Sequence, residues 1–321
     1  MQLDRPFLKL PIRFDADLLA AEVRALPASA WDPHPTGFAG NEAVKLVSPG
    51  GRLTDELEGP MAPTEHLQRC AYIQQVMAEL DGVWGRSRLM GLAAGAEVPE
   101  HIDTHYYWRT HLRIHVPVIT SPAVSFTCGG ETVHMAAGEC WVFDSFRWHE
   151  VHNRGTEQRV HLVLDTVGSN RLWDLLEAAK AGADAGPSAA HGSIDTSRLA
   201  FEKVNSPKVM SPWEMRCHLA FLADQVDPSP LLDAVMQRLD KFVYAWAAAW
   251  ARFGADDSGR ATYLALLGEV RRDLQALGGG KLMMRNELPL FQALDQIVLQ
   301  MAIEAPAPPV SATAAGQRVA S

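Results

Sequence analysis

A chain of 321 residues with 47% hydrophobic and 21% charged side chains is long and apolar enough for a catalytic domain of ordinary size plus a smaller unit, which excludes the disordered and fibrous classes. Its formal charge of −9 and pI near 5.7 lack the basic footprint that nucleic acids or anionic membranes require. With no leader-like start, no run near the roughly 18 apolar residues of a membrane span, and no Cys-x-x-Cys pair among Cys70, Cys128, Cys140 and Cys217, the expectation is a soluble cytoplasmic protein with reduced thiols.

Phe7 to Phe14 alternates as a strand, and Asp15 caps a helical run through Leu18, Leu19, Val23 and Leu26. Ala43 to Val47 reads as a second strand, closed by Ser48-Pro49-Gly50-Gly51, and a helix is expected over Glu65 to Leu80. From Ser87 to Val167 short strands alternate with Gly, Pro and Asn turns, without a helical period. Its clearest strand puts Leu112, Ile114, Val116 and Val118 on one face and Arg113 and His115 on the other. A later strand, Arg159 to Thr166, sends Arg159, His161, Val163 and Asp165 to one side. Polar residues at alternate positions in so apolar a sheet predict a barrel or jelly roll with a site inside it.

Residues 178–206 are rich in Ala, Gly, Ser and Asp and mark a boundary. Helical starts follow at Ser211-Pro212 and Ser229-Pro230, then an apolar stripe from Leu232 to Phe253 that stops at Gly254. Further helices are expected over about 259–277 and 286–304. The resulting division is a β unit of catalytic-domain size at 1–180 with N-terminal support elements, a linker at 181–205, an α-helical bundle at 206–304 and a disordered tail at 305–321.

Eight of the twelve histidines lie between His101 and His161, inside the β block. His101 and Asp103, two residues apart in or at the end of a strand, share a face and can reach one cation. With His149 they make a two-histidine, one-carboxylate facial triad, which suits iron(II) and leaves positions open for a keto acid and dioxygen. Asn153-Arg154-Gly155 is a turn signal, and residues 149 and 159 are symmetric about it. A hairpin there would set His149 and Arg159 opposite each other, and a guanidinium beside the metal is the donor that the far carboxylate of 2-oxoglutarate requires. His152 is the alternative third ligand. The run His105-Tyr106-Tyr107-Trp108 reads equally as the mouth of the pocket or as a packing corner, Trp141 and Phe143 as sheet core, and His134 and His161 as hydrogen-bond partners behind the site or barrel filling.

The stretch from His101 to Val167 resembles the aspartyl/asparaginyl β-hydroxylase superfamily, and within it the bacterial proline cis-hydroxylases. The likeness is carried by His101-Ile102-Asp103, Arg113-Ile114-His115-Val116, the run from His134 to Asp144, His149, and the run from Arg159 to Asp165; a weaker likeness reaches back to Asn41–Leu46. It implies a double-stranded β-helix fold, iron at His101, Asp103 and His149, and 2-oxoglutarate at Arg159. It also implies that Arg113 and His115 line the site, as binders of a co-substrate or substrate carboxylate. Animal members that hydroxylate peptides lack the carboxylate ligand, whereas Asp103 is present here. Nothing in the resemblance covers the C-terminal helices.

The functional expectation is therefore an iron(II)/2-oxoglutarate-dependent oxygenase, in the simplest case a hydroxylase. It would take dioxygen and a carboxylate-bearing amino acid or peptide, with self-association through the C-terminal helices as a further expectation. The alternatives are a cupin-like metalloenzyme that uses no keto acid, and a non-catalytic ligand-sensing barrel. Arg159 argues against the first, and succinate release separates enzyme from sensor.

Overall fold

The computed structural model describes residues 3–184, 186 and 198–304. The expected tail at 305–321 lies outside those residues, as do residues 185 and 187–197 of the expected linker. None of the helices among the described residues is long and apolar enough to cross a membrane.

The chain opens with strand β1 (Phe7–Arg13) and helix α1 (Ala16–Ala25), whose first turn is held by Asp15 accepting from the Asp17 and Leu18 amides. Short β2 (Asp32–Pro33), long β3 (Asn41–Pro49) and β4 (Met61–Pro63) follow. The helix expected over 65–80 is two: α2 (Glu65–Gln68) and α3 (Ala71–Leu80). The break at Cys70 is stabilised from outside, because the Glu22 carboxylate accepts the amides of Tyr72 and Ile73 at 2.6 and 2.9 Å and so caps the new N-terminus.

The block from 83 to 166 contains β5 (Val83–Leu92), β6 (Glu97–His101), β7 (Leu112–Ile119), β8 (Val124–Cys128), β9 (Glu131–Val133), β10 (Glu139–Phe143), β11 (His149–Asn153) and β12 (Arg159–Thr166). One helix interrupts it, α4 (Tyr106–Thr110), too short to leave a helical period in the sequence. The strands form a large antiparallel sheet in the order β1-β10-β7-β12-β5-β3-β2 and a smaller one, β6-β11-β8-β9. From β5 to β12 the chain passes back and forth between the sheets, with only the β8–β9 hairpin staying within the small one, which is the winding of a double-stranded β-helix. The expected fold class is thus the observed one, including the helical C-terminal unit.

The hairpin expected across Arg154 is absent. β11 pairs with β6 and β8 in the small sheet, whereas β12 pairs with β5 and β7 in the large one, so the 153–158 segment crosses between sheets. Asn153 explains the crossing: its buried amide donates to the carbonyls of Leu92, Ala93 and Glu157, which ties the loop to the end of β5 instead of folding it back.

Helices α1, α3 and α5 (Asn170–Lys180) supply side chains to the main core on the outer face of the large sheet. Later in the chain, β13 (Ala200–Phe201) adds a parallel strand to β5, so the end of the region read as linker is fastened to the sheet. The helical unit consists of α6 (Pro212–Asp224), α7 (Pro230–Phe253), α8 (Arg260–Ala276) and α9 (Leu290–Leu294). The last is shorter than the helix expected over 286–304, because Asp295–Leu299 winds on as a single π turn. Tyr106 and Phe146 of the β unit belong to the same apolar cluster as the interior of these helices.

Candidate active site

A cavity of about 470 Å³ lies between the two sheets, lined from the large sheet by Arg86, Arg88, Arg113, His115 and Arg159 and from the small one by His101 and His149. Strand alternation directs these residues inward. Arg86, Arg88 and Met90 occupy alternate positions of β5, and Arg159 and Val163 the matching face of β12.

At one end of the cavity, His101, Asp103 and His149 each offer a ligand atom, and the three atoms lie within 4.8 Å of one another. β6 and β11 pair His101 directly with His149. Each imidazole places Nδ1 on a backbone carbonyl, His101 on Pro99 O at 2.8 Å and His149 on Arg147 O at 2.9 Å. A carbonyl only accepts, so in the neutral ring the proton sits on Nδ1 and Nε2 keeps its lone pair. Burial pushes His149 down to about 4, with Asp103 opposing, so the ring is neutral at physiological pH. Burial works to raise Asp103, but Arg113, then His149 and His101, outweigh it and hold the carboxyl below its usual value. Two imidazole Nε2 atoms and one ionised carboxylate suit a first-row divalent metal.

Arg113 does not have the role expected of it. Its Nη1 donates to Asp103 Oδ2 at 2.8 Å and its Nε to Asp165 Oδ1 at 3.0 Å. Burial opposes its charge, but Asp165 and Asp103 more than restore it. The expectation of a buried cation awaiting a ligand carboxylate therefore fails for Arg113, which already has two anionic partners and fixes the orientation of Asp103. His115 is buried against His161 (Nδ1 to Nδ1, 3.3 Å) and is held far below its ordinary value by burial and then Arg159.

Among the described residues that line the cavity, Arg159 is the arginine without a carboxylate partner. It is 4% exposed, its Nη2 lies 2.7 Å from His161 Nδ1, its Nε has no partner, and no carboxylate among the described residues pairs with it. Burial alone lowers it to about 9. His161 is kept neutral by burial and then by Arg159, which makes it an acceptor for the guanidinium.

Two arginines escape a reading of the sequence. Arg88 is buried and shares Asp55 with Lys45, at 3.3 Å in each case, while Arg86 stands 4.0 Å from Asp165 and 5.0 Å from the Trp108 ring. Burial lowers Arg88 to about 9, with Arg86 and Arg113 adding to the effect. Their alternation within an otherwise apolar strand was the available signal. The wall is completed by Phe38, Leu57, Met90 and Trp108.

Other expected positions divide. Trp108 faces the cavity and Tyr106 and Tyr107 are buried, so the aromatic run serves both as wall and as packing corner. The Tyr107 hydroxyl accepts the Arg86 amide at 2.7 Å in a space that a side chain on Gly85 would fill. Phe143 lines the cavity, 5.0 Å from the His149 ring, whereas Trp141 packs on Phe7. His134 rests on the Val124 carbonyl, away from the lining. His152 cannot replace His149: one strand residue out of phase, it pairs with Glu97 and Glu150 on the opposite face.

Comparison with known proteins bears on this arrangement. Residues 54–168 match the family described as Aspartyl/Asparaginyl beta-hydroxylase. The β-hydroxylase resemblance read from the sequence is thereby borne out, and the matched segment contains all six residues named for the site. No curated protein matches the chain. Among solved structures, the chain is similar to a 2OG-Fe(II) oxygenase family oxidoreductase from Burkholderia pseudomallei, at 16% identity over 52% of this chain and 88% of that one, with a TM-score of 0.38. It is also similar to a Pseudomonas putida prolyl-4-hydroxylase, at 17% identity over 51% and 93%, TM-score 0.33. A third is a predicted oxalate decarboxylase from Thermotoga maritima, at 17% identity over 42% and 89%, TM-score 0.27.

Proposed function

We propose that this protein is an iron(II)- and 2-oxoglutarate-dependent oxygenase that hydroxylates a carboxylate-bearing substrate, an amino acid free or within a peptide. The observation that carries the proposal is the pairing, in one cavity, of a three-ligand cluster with a buried guanidinium that lacks an anion. An uncompensated buried cation is costly, and the carboxylate of a ligand relieves that cost.

In this reading His101, Asp103 and His149 hold iron on one face and leave the other open. Arg159, steadied by His161, binds the far carboxylate of 2-oxoglutarate, and Arg113 keeps Asp103 ionised and aimed. Bound iron, with 2-oxoglutarate and dioxygen, supplies the oxidising power for C–H hydroxylation. The protein's own contribution is to orient the reactants and exclude water.

The substrate class follows from charge. Arg86, Arg88 and Arg159 are buried and Arg113 is half-buried beside them, four guanidiniums in all, while the carboxylates bonded to or near them are Asp55, Asp103 and Asp165. Iron and 2-oxoglutarate carry opposite double charges and leave that surplus in place, so a substrate with a carboxylate near Arg86 and Arg88 balances the cavity. Phe38, Leu57, Met90 and Trp108 offer its apolar part a surface.

The test is anaerobic loading with Fe(II) followed by exposure to dioxygen, with 2-oxoglutarate and a panel of amino acids and peptides. Succinate release coupled to a 16-Da mass gain on a carboxylate-bearing substrate is expected. Metal uptake without any binding of 2-oxoglutarate would instead identify a cupin-type metalloenzyme, and binding without turnover across the panel a sensor.

A further inference from the structure

The two segments that carry Asp103 and His149 each have a back, turned away from the cavity, and the C-terminal helices occupy both. The segments are joined to each other by the Asp103 amide donating to Ser145 O at 3.0 Å. Behind Asp103, the Thr104 hydroxyl donates to the Gln296 side-chain oxygen, and Tyr106 Oη donates to Glu214 at 2.6 Å. Behind His149, the Trp148 indole donates to Asn286 O at 2.8 Å, and the Asn286 amide donates in return to Phe146 O at 3.2 Å. The Phe146 ring meets Phe221 of α6 at 5.1 Å, and Ile102 packs against the interior of the helical unit.

Gln296 sits in the π turn Asp295–Leu299, where the Gln300 amide reaches Asp295 O at 2.9 Å and Asp295 is tied to Arg271. Such turns interrupt the regular helical ladder and recur where a side chain must be placed for a purpose. Among the described residues, none of the C-terminal helices lines the cavity. Their contacts fall instead on the residues adjoining the proposed metal ligands.

We propose that the helical unit is a clasp that sets the positions of Asp103 and His149, with Gln296 a positioning residue for Asp103 through Thr104 and Asn286 one for His149 through Trp148. The inference rests on the metal assignment made above. It gives these helices a role at the site besides the expected self-association. A ligand one residue from a hydrogen bond to the helices inherits its orientation from them, as ligands do from outer partners whose loss weakens metal binding 10–100-fold.

The test uses full-length protein, freed of metal and titrated with Co(II), following affinity and the visible ligand-field bands. Thr104→Val and Gln296→Met are expected to weaken Co(II) binding by about tenfold or more and to shift the bands. Thr104→Ser, which keeps the hydroxyl, should behave as the wild type. Because the two side chains act as one contact, the double variant should be no worse than the poorer single one. Trp148→Phe should weaken binding independently, and Leu264→Ser, on the exposed side of α8, should change nothing. Thermal unfolding identifies the variants that fold, and the milder Thr104→Val and Thr104→Ser pair decides the matter if Gln296→Met does not. Folded Thr104→Val and Trp148→Phe proteins with unaltered affinity and spectrum would overturn the clasp. Failure of the wild type itself to take up Co(II) would overturn the metal assignment, and the clasp with it.

Discussion

His101 and His149 stand directly opposite each other across the β6–β11 pair, with ring centroids 4.1 Å apart, and both give Nδ1 to a backbone carbonyl two residues earlier in the chain. The same local device thus sets the same tautomer twice, on neighbouring strands, and leaves two Nε2 lone pairs beside Asp103. A one-residue slip of register would send His149 to the other face, where His152 now pairs with two glutamates. Strand register therefore brings the two imidazoles together.

If these three residues hold the metal, His101→Ala, Asp103→Ala and His149→Ala should each abolish turnover and lower metal affinity by about 100-fold or more, since a facial triad has no spare ligand. Metal content after dialysis against a weak chelator reads this directly. Stoichiometric metal in folded His149→Ala would remove that residue from the set.

Arg113 touches Asp103 and Asp165 at once, so its loss is expected to act on the metal and on the fold rather than on a ligand carboxylate. Arg113→Ala strands Asp165, which is 2% exposed, with only Arg86 at 4.0 Å. A destabilisation of about 3 kcal/mol is expected from breaking a buried pair, together with weaker metal binding. The concentration of 2-oxoglutarate needed for half-maximal rate, measured at saturating iron, should hardly move; a large rise there would return Arg113 to the co-substrate.

Much of the site is legible in the sequence because its residues sit on strands whose period is two. Arg159 to Thr166 forms a strand with the expected bounds and faces, and His101-x-Asp103 lies at a strand end. What pairs with what is not legible. Asn153-Arg154-Gly155 has the chemistry of a tight turn, yet three carbonyls held by the Asn153 amide, two of them at the end of β5, make it a crossover. The partners of Arg113 come from two other segments, and so its expected vacancy was an error of tertiary context rather than of strand assignment. Arg86 and Arg88 escaped because single arginines in a strand look solvated until a second sheet covers them. The helical unit's relation to the ligand segments depends on contacts nearly 200 residues apart, such as Thr104 with Gln296, for which no local pattern exists.

Arg159 offers a case in which stability and function pull in opposite directions. Replacing it with Met removes an unpaired buried cation while keeping much of the side chain's length, and is expected to raise the melting temperature of the ligand-free protein. The wild type should be stabilised by 2-oxoglutarate, by about 2.7 kcal/mol at a hundredfold excess over Kd, and Arg159→Met should lose that response. Arg159→Lys keeps the charge but not the planar fork, so it should bind metal normally and need at least tenfold more 2-oxoglutarate. A thermal-shift series over 2-oxoglutarate concentration with the three proteins tests all of this, and an undiminished shift in Arg159→Met would place the co-substrate elsewhere.

The last prediction concerns where the β unit ends. Residues 200–202 fall within the stretch read as a linker, yet the Glu202 amide donates to Trp84 O at 3.0 Å and its carbonyl accepts the Met61 amide at 2.7 Å. The Glu202 carboxylate meets His111 Nε2 at 2.6 Å, with both side chains 2% exposed or less. This pair sits beside the Tyr107 ring, which stacks on His111 at 3.7 Å and whose hydroxyl holds the Arg86 amide. Glu202 thus closes a packed chain that leads from the strand edge to the wall of the cavity. Glu202→Ala takes the carboxylate away from the buried His111 Nε2 and should cost about 3 kcal/mol, whereas Glu202→Gln keeps a hydrogen-bonding group there and should cost about 1 kcal/mol. Truncation near Gly186 removes Glu202, β13 and the helices that cover Tyr106 and Phe146, and is expected to give an unfolded or aggregated product rather than a free-standing barrel. Urea unfolding of the two full-length variants supplies the numbers. A Glu202→Ala protein within 0.5 kcal/mol of the wild type, or a truncated chain that unfolds cooperatively on its own, would show that the β unit is complete before residue 186.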